Sequence, residues 1–571
     1  MLRINVIIPL LVLNFFRDVT AFDDIQCRIW CYSQPAVQTA DGCLCGMKMD
    51  GLEAGPFDAF VGVPFAKPPV GALRFANPIP IDPWEGPLNV TTTKPMCIQK
   101  YDIFPLASVR GQEDCLYLNV YRPKKCRKKK LPVMVYIHGG GYIGESADPR
   151  VIGPEKFMDT RKVILVSLQY RLGPFGFLSS DDCSAPGNFG LKDQSMALRW
   201  VQRNIESFGG DRRRVTVFGH SAGGAAVQFH MMSPLSEGLF SKAISQSGSA
   251  LSFWSKQYPD QLGLVRKLAV AAEVEGAVRM NSRELIKALR KVDAAKLLLS
   301  VDKLKFWHNQ PIILFRPVVE KHVDDETFLR EDPRELWATG RYQKIPWMTG
   351  YLPDDGIAVL LSIFTDLLEP FIANQQELLP LLADVPPSSG PALLERFFGG
   401  NPIGPENAFA LTEVMSEVGF KYPMMESILQ HLINDPQSES PVSLYYLNFK
   451  GRYSCSTMLP IFTGPDSGAC HAEELMYLFR QPIQYLDFPK DSPEAAMSRL
   501  LVNEWINFAT KGKLSLPQRG GSERPSQQIG MVEFTNSDGP SGVTTIHRGF
   551  EDAKIAELWN LLRWWNVVRV Q

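Results

Sequence analysis

Residues 215–232 read VTVF-GHSAG-GAAVQFHMM, and this stretch constrains the fold more than any other. The apolar, β-branched run up to Phe218 has the pattern of a strand, and the apolar run after Gly223 that of a helix. Between them Gly219-His220-Ser221-Ala222-Gly223 fits G-x-S-x-G. With Gly and Ser each at about 7 %, a chain this long contains such a pentapeptide by chance roughly one time in five. The context carries the reading. A strand, a tight turn and a helix hold a serine in a strained backbone with its hydroxyl exposed. Side chains in place of the flanking glycines would collide in such a turn. Ser221 is the candidate nucleophile, and a structural turn serine is the alternative.

The surrounding sequence supplies the frame. Val133–Ile137, Val163–Leu168, Val215–Phe218, Ala243–Ser245 and Val442–Phe449 are short apolar runs bounded by turn residues, as buried strands are. Ala197, Trp200, Val201 and Ile205 share one helical face. Strand–helix alternation predicts an α/β fold, a mostly parallel sheet covered by helices. Active sites of such sheets lie beyond the carboxyl ends of the strands. Residues 515–545, rich in Gly, Pro, Ser and Gln, read as a surface loop.

His138-Gly139-Gly140-Gly141 directly follows the strand pattern PVMVYI. Such a tetrapeptide occurs by chance in fewer than about one chain in a hundred. A glycine run lets backbone N–H groups approach a substrate oxygen without hindrance, so it suits an oxyanion site. The amide after the nucleophile, Ala222, is the usual second contributor.

A serine hydroxyl needs a base. In this type of elbow the order along the chain is serine, acid, histidine. His138 precedes the serine, and His220 and His230 follow it too soon. His471, in the loop GACHAEEL after the strand VSLYYLNF, is the candidate base. The acid falls in Tyr351-Leu-Pro-Asp-Asp-Gly356, after the strand PWMTG, and the residues alone leave Asp354 and Asp355 equal.

Arg3, the apolar residues 4–16, and Val19 and Ala21 at a small-residue cleavage site read as a secretory signal ending at Ala21, with a single domain over 22–571. A membrane anchor is the rival reading, but the run is shorter than the ~18–20 residues needed to span. No later stretch is long and uncharged enough. Ile555, Leu558, Trp559 and Leu562 predict a final amphipathic helix packed on the core. Ten cysteines, an even number, fit disulfides in a secreted chain. The pairing of Cys27, Cys31, Cys43, Cys45, Cys126, Cys183, Cys455 and Cys470 is not readable. A zinc site at Cys27, Cys31, Cys43 and Cys45 is the weaker alternative, because no histidine lies nearby. Net charge is −1, which gives no footprint for nucleic acid. The basic run Lys124–Lys130 reads as a solvated loop. Asn89-Val-Thr91 is an N-glycosylation sequon.

Together these motifs resemble the type-B carboxylesterase/cholinesterase family of the α/β-hydrolase fold. The resemblance spans about residues 40–565. It rests on FVGVPFAKPPVGALRF (60–75), EDCLYLNVYRP (113–123), HGGGY (138–142), LQYRLGPFGF (168–177), GNFGLKDQ (187–194), FGHSAGG (218–224), ISQSGS (244–249), PDDG (353–356) and GACHAEEL (468–475). It implies Ser221 as nucleophile, His471 as base and Asp355, just before the glycine, as acid. It further implies Gly140, Gly141 and Ala222 as oxyanion donors, Ser247 as a hydroxyl near the triad, and a Cys97–Cys115 disulfide. Cofactor and metal are not implied; the partner is a small-molecule ester. The first disulfide loop lacks the tryptophan with which cholinesterases hold choline. GHSAG, with Arg74-Phe75 and Asp193-Gln194, is similar to insect carboxylesterases and the juvenile-hormone-esterase-like group, which typically carries Gln where His220 stands. The family also includes adhesion ectodomains that lose the serine, so a silent binding module is the alternative to an esterase.

Overall fold

A computed structural model describes residues 23–100, 108–124, 129–308, 310–436, 440–454, 467–514, 531–539, 541–548 and 552–569. The proposed signal, 1–21, lies outside them, as does most of the basic run.

Eleven strands form one sheet. In chain order they are β3 Met47–Asp50, β4 Pro56–Pro64, β6 Tyr117–Pro123, β7 Leu131–Ile137, β8 Ile164–Leu168, β9 Gly210–His220, β10 Lys242–Gln246, β11 Trp347–Tyr351, β12 Val442–Asn448, β13 Met531–Asn536 and β14 Val543–Arg548. Their order across the sheet is β14-β13-β12-β11-β10-β9-β7-β8-β6-β4-β3. The run from β8 to β13 is parallel throughout, and antiparallel strands close both sides. Three short strands, β1 Ala36–Gln38, β2 Cys43–Cys45 and β5 Pro87–Asn89, make a separate small sheet.

The buried strands β7, β8 and β11 are covered on both faces, which is why they read as unbroken apolar runs. Alternation along β7 sorts its side chains into two cores. Val133, Val135 and Ile137 pack with Trp200 and Val227 of the helices Phe189–Asn204 and Ala222–Met232. Met134 and Tyr136 pack with Met497, Leu501 and Trp505 of the helix Pro493–Lys511. This is the α/β-hydrolase arrangement expected. Ala197, Trp200, Val201 and Ile205 are all buried, as their spacing predicts. The final helix, Ala553–Val568, buries Ile555, Leu558 and Leu562.

One expectation is overturned. The stretch 515–545 is not all loop, because Met531–Asn536 is β13, paired in parallel with β12, and β14 begins at Val543. Glu533 breaks the apolar pattern of MVEFTN. Its buried carboxylate accepts a hydrogen bond from Arg548 of β14, which offsets part of the cost of placing it in a strand.

The cysteines pair as Cys27–Cys43, Cys31–Cys45 and Cys97–Cys115. The first two tie the helical residues 23–31 to β2. Cys27, Cys31 and Cys43 are the one cluster among the described residues with donor atoms close enough for a common ion, but the disulfides occupy those sulfurs. Cys470 is also disulfide-bonded, and Cys183 is free and exposed. Among the described residues no helix is long and apolar enough to cross a membrane.

Candidate active site

Ser221 stands where β9 ends and the helix Ala222–Met232 begins, at φ +58 and ψ −124. That conformation is costly for a residue with a Cβ and persists only where its surroundings enforce it. Its N–H donates to Gln246 O at 2.8 Å, and its carbonyl accepts from Ala225 N–H at 2.9 Å. The glycines permit the close approach. A Cβ on Gly223 would stand 2.2 Å from Ile137 O, and one on Gly248 would stand 2.0 Å from Ser221 O.

Beside the elbow runs the glycine turn after β7. A Cβ on Gly139 would lie 3.1 Å from Ser221 Cβ, so the turn is packed on the serine. Gly140 and Gly141 have φ of +82 and +60, which glycine adopts without penalty. Tyr170 fixes the turn: its hydroxyl donates to the carbonyls of His138 (2.9 Å) and Gly139 (3.3 Å), and its ring stacks on His138 at 4.3 Å. Among the described residues no hydrogen bond is donated by the N–H of Gly140 or Gly141. Ala222, at the helix start, has no intrahelical acceptor for its own. The family resemblance names these three amides as oxyanion donors; Ala222 follows the nucleophile directly and the glycine turn packs on it. Burial pushes His138 down to about 4, so it stays neutral beneath the turn.

At the ends of β11 and β12 the loops bring Asp355 and His471 together. His471 Nδ1 lies 2.8 Å from Asp355 Oδ1. The other carboxylate oxygen accepts from Ser247 Oγ at 3.0 Å and from Leu352 N–H at 2.9 Å. Asp355 is fully buried and the His471 side chain 9 % exposed. The two aspartates are thus distinguished. Asp354 instead accepts from Gly468 N–H at 2.7 Å and so holds the loop that carries the histidine. A carboxylate held on Nδ1 fixes the tautomer and orientation of the ring, as the acid partner of a histidine base does.

Two neighbours of His471 were given no role by the sequence. The ring of His220 lies 4.3 Å from that of His471, centroid to centroid. Burial, and then the neighbouring His471, push His220 well below its ordinary value. Behind it stands Glu474, on the short helix Glu473–Leu478, with Oε1 3.9 Å from His220 Nε2. Gln246 Nε2 donates to the same oxygen at 3.1 Å. Only the three-residue spacing from His471 marks Glu474 in the sequence.

Burial, reinforced by the Asp355 carboxylate, pushes Glu474 from 4.5 up to about 8. The folded protein therefore keeps a proton that the unfolded chain releases above about 4.5. Between these values the unfolded state binds fewer protons, so stability falls as pH rises, and the loss is complete above the folded value. Glu474→Gln mimics the neutral acid and is expected to remove this slope. Melting curves of parent and variant should keep a constant offset near about pH 4 and diverge in the variant's favour toward about pH 9, by on the order of 5 kcal/mol. Parallel curves over the whole range would mean that Glu474 is ionised in the fold.

Comparison with known proteins agrees with this architecture. The sequence model of the Carboxylesterase family matches residues 33–537. Juvenile hormone esterase of Tribolium castaneum is 38 % identical over 509 residues, 85 % of this chain and 85 % of that one. Venom carboxylesterase-6 of Apis mellifera is 33 % identical, covering 88 % and 91 %. The crystal structure of juvenile hormone esterase from Manduca sexta, with OTFP covalently attached, superimposes with a TM-score of 0.80 at 27 % identity, over 94 % of this chain and all of that one. The fold and these matches define an ester hydrolase of the α/β-hydrolase class. Within that class the chain belongs to the carboxylesterase family and is a carboxylic ester hydrolase.

Proposed function

We propose that this chain is a secreted serine carboxylesterase that hydrolyses apolar esters through an acyl-enzyme on Ser221, juvenile hormone or a related methyl ester among them. The observation that carries the reading is the 2.8 Å contact of Asp355 with His471 beside the strained elbow of Ser221. His471 takes the Ser221 proton as Oγ attacks the ester carbonyl. The resulting oxyanion is met by the N–H groups of Gly140, Gly141 and Ala222, each worth about 3 kcal/mol in the transition state. The tetrahedral intermediate collapses, and His471 returns the proton to the departing alcohol. Water attacks the acyl-enzyme with His471 again as base, and the acid leaves. Asp355 orients the imidazole and stabilises its charged form, and Ser247 and Leu352 hold Asp355.

The relatives named juvenile hormone esterase support the choice of a long apolar methyl ester. Secretion is supported by the signal-like start and the disulfides, and the sequon residue Asn89 on β5 is exposed. The test is kcat/KM across a series running from short aryl esters to long-chain methyl esters. Turnover confined to short aryl esters would remove the hormone-ester reading and leave a broad esterase.

A further inference from the structure

His471 rides on a tight turn. The N–H of Glu473 donates to the Cys470 carbonyl at 3.0 Å, so Cys470-His471-Ala472-Glu473 closes on itself with the histidine in its second position. Ala472, in the third, has φ +72 and ψ 2. Those are the angles of the third residue of a type II turn, where glycine is the usual choice. A residue with a Cβ holds them only where its surroundings enforce it.

The side chain of Glu473, which is buried, supplies that enforcement. Its Oε2 accepts from the Cys470 N–H at 3.0 Å, the reverse of the backbone bond, so the first and last residues of the turn are joined in both directions. The same oxygen accepts from Ser454 Oγ at 3.1 Å, on the segment that leaves β12. The approach to the turn is fixed by other means. Asp354 N–H donates to the Ala469 carbonyl at 3.1 Å, Asp354 Oδ2 accepts from Gly468 N–H at 2.7 Å, and Cys470 is disulfide-bonded. Those bonds decide where the turn stands. They do not decide the φ of Ala472, and with it the direction of the imidazole.

We propose that Glu473 is a positioning residue that aims His471 at Asp355 by locking this turn, a proposal that rests on His471 acting as the base. Removal of the carboxylate leaves the Cys470 N–H and the Ser454 hydroxyl, both buried, without that acceptor. Ala472 is then free to return to negative φ. The peptide between His471 and Ala472 turns over, and the imidazole leaves its 2.8 Å contact with Asp355. Both halves of the reaction suffer, because the same histidine serves in acylation and deacylation. Substrate binding, which needs no aimed base, is left as it is. The plainer role for an acid at the first position of a short helix is to place charge at the helix start. That role lowers stability and leaves kcat alone, so the two are separable.

The test measures kcat and KM on one aryl ester for the parent, Glu473→Ala, Glu473→Gln and Ser454→Ala. Active sites are counted by fluorophosphonate titration carried to completion, so unfolded protein does not enter. Glu473→Ala is expected to lower kcat by about a hundredfold at unchanged KM, the scale on which a small misplacement of a catalytic group acts. Glu473→Gln keeps an oxygen that can accept from both donors and is expected to restore most of that loss. Ser454→Ala is expected to lose less than Glu473→Ala, again in kcat. If Glu473→Ala does not fold, Ser454→Ala decides, and an unchanged kcat there overturns the proposal. An unchanged kcat in Glu473→Ala with a lowered melting midpoint, or a Glu473→Gln as slow as Glu473→Ala, overturns it too. A His471→Ala variant that keeps the parent's kcat overturns the reading of the base itself, a distinct result.

Discussion

Ser221→Ala is expected to lower kcat by about 10⁵–10⁶-fold, the scale on which nucleophile removal acts in serine hydrolases. The loss is chemical rather than structural. The bonds that frame the elbow, Ser221 N–H to Gln246 O and Ala225 N–H to Ser221 O, belong to the backbone and survive the change. The unfolding midpoint should stay within a few degrees of the parent, and substrate binding should remain measurable. A residual rate above the uncatalysed one is expected, because the amides of Gly140, Gly141 and Ala222 can still meet an oxyanion formed by water attack. Steady-state kinetics on purified parent and variant, with melting curves alongside, read both halves. A variant that keeps a tenth or more of the activity would exclude Ser221 as the nucleophile.

The second large effect is at Asp355. Its carboxylate accepts on both sides, from His471 through Oδ1 and from Ser247 and Leu352 through Oδ2. An asparagine has one acceptor oxygen and one donor NH2. With the oxygen kept toward Ser247 and Leu352, the NH2 faces His471 Nδ1 and forces the ring proton onto Nε2. The imidazole then presents a donor where the Ser221 proton must be accepted. With the amide reversed, the NH2 meets two donors in a fully buried site. Either way the base is disabled, and Asp355→Asn is expected to lower kcat by about 10⁴-fold with little change in KM. Asp354→Asn is the control: Asp354 holds the Gly468 loop and does not touch the imidazole, so a much smaller loss is expected. Equal losses at the two positions would contradict the assignment of Asp355.

The parts of the site legible in the sequence were those with rigid local requirements. The elbow and HGGG need glycines at fixed offsets because backbone passes within 2–3 Å of where a Cβ would stand, and such needs are written in consecutive residues. The parallel strands were legible because burial on both faces leaves unbroken apolar runs. β13 was not, because Glu533 is acceptable there only with Arg548 of the next strand opposite. The choice between Asp354 and Asp355 was likewise not local, since both precede Gly356 by one or two residues and only the loop's path decides which meets His471. His220 and Glu474 come from two distant segments, and no spacing rule links them. The N-terminal cysteines announced disulfides, but their pairing followed only from the helix 23–31 lying against β2.

One hydroxyl, that of Ser221, carries the chemistry. Purified active enzyme treated with a fluorophosphonate, then digested and examined by mass spectrometry, tests it most directly. The prediction is one adduct per chain, on the peptide that carries Ser221, with activity lost in proportion to labelling. Full inactivation with the adduct elsewhere, or full activity with Ser221 modified, would contradict it.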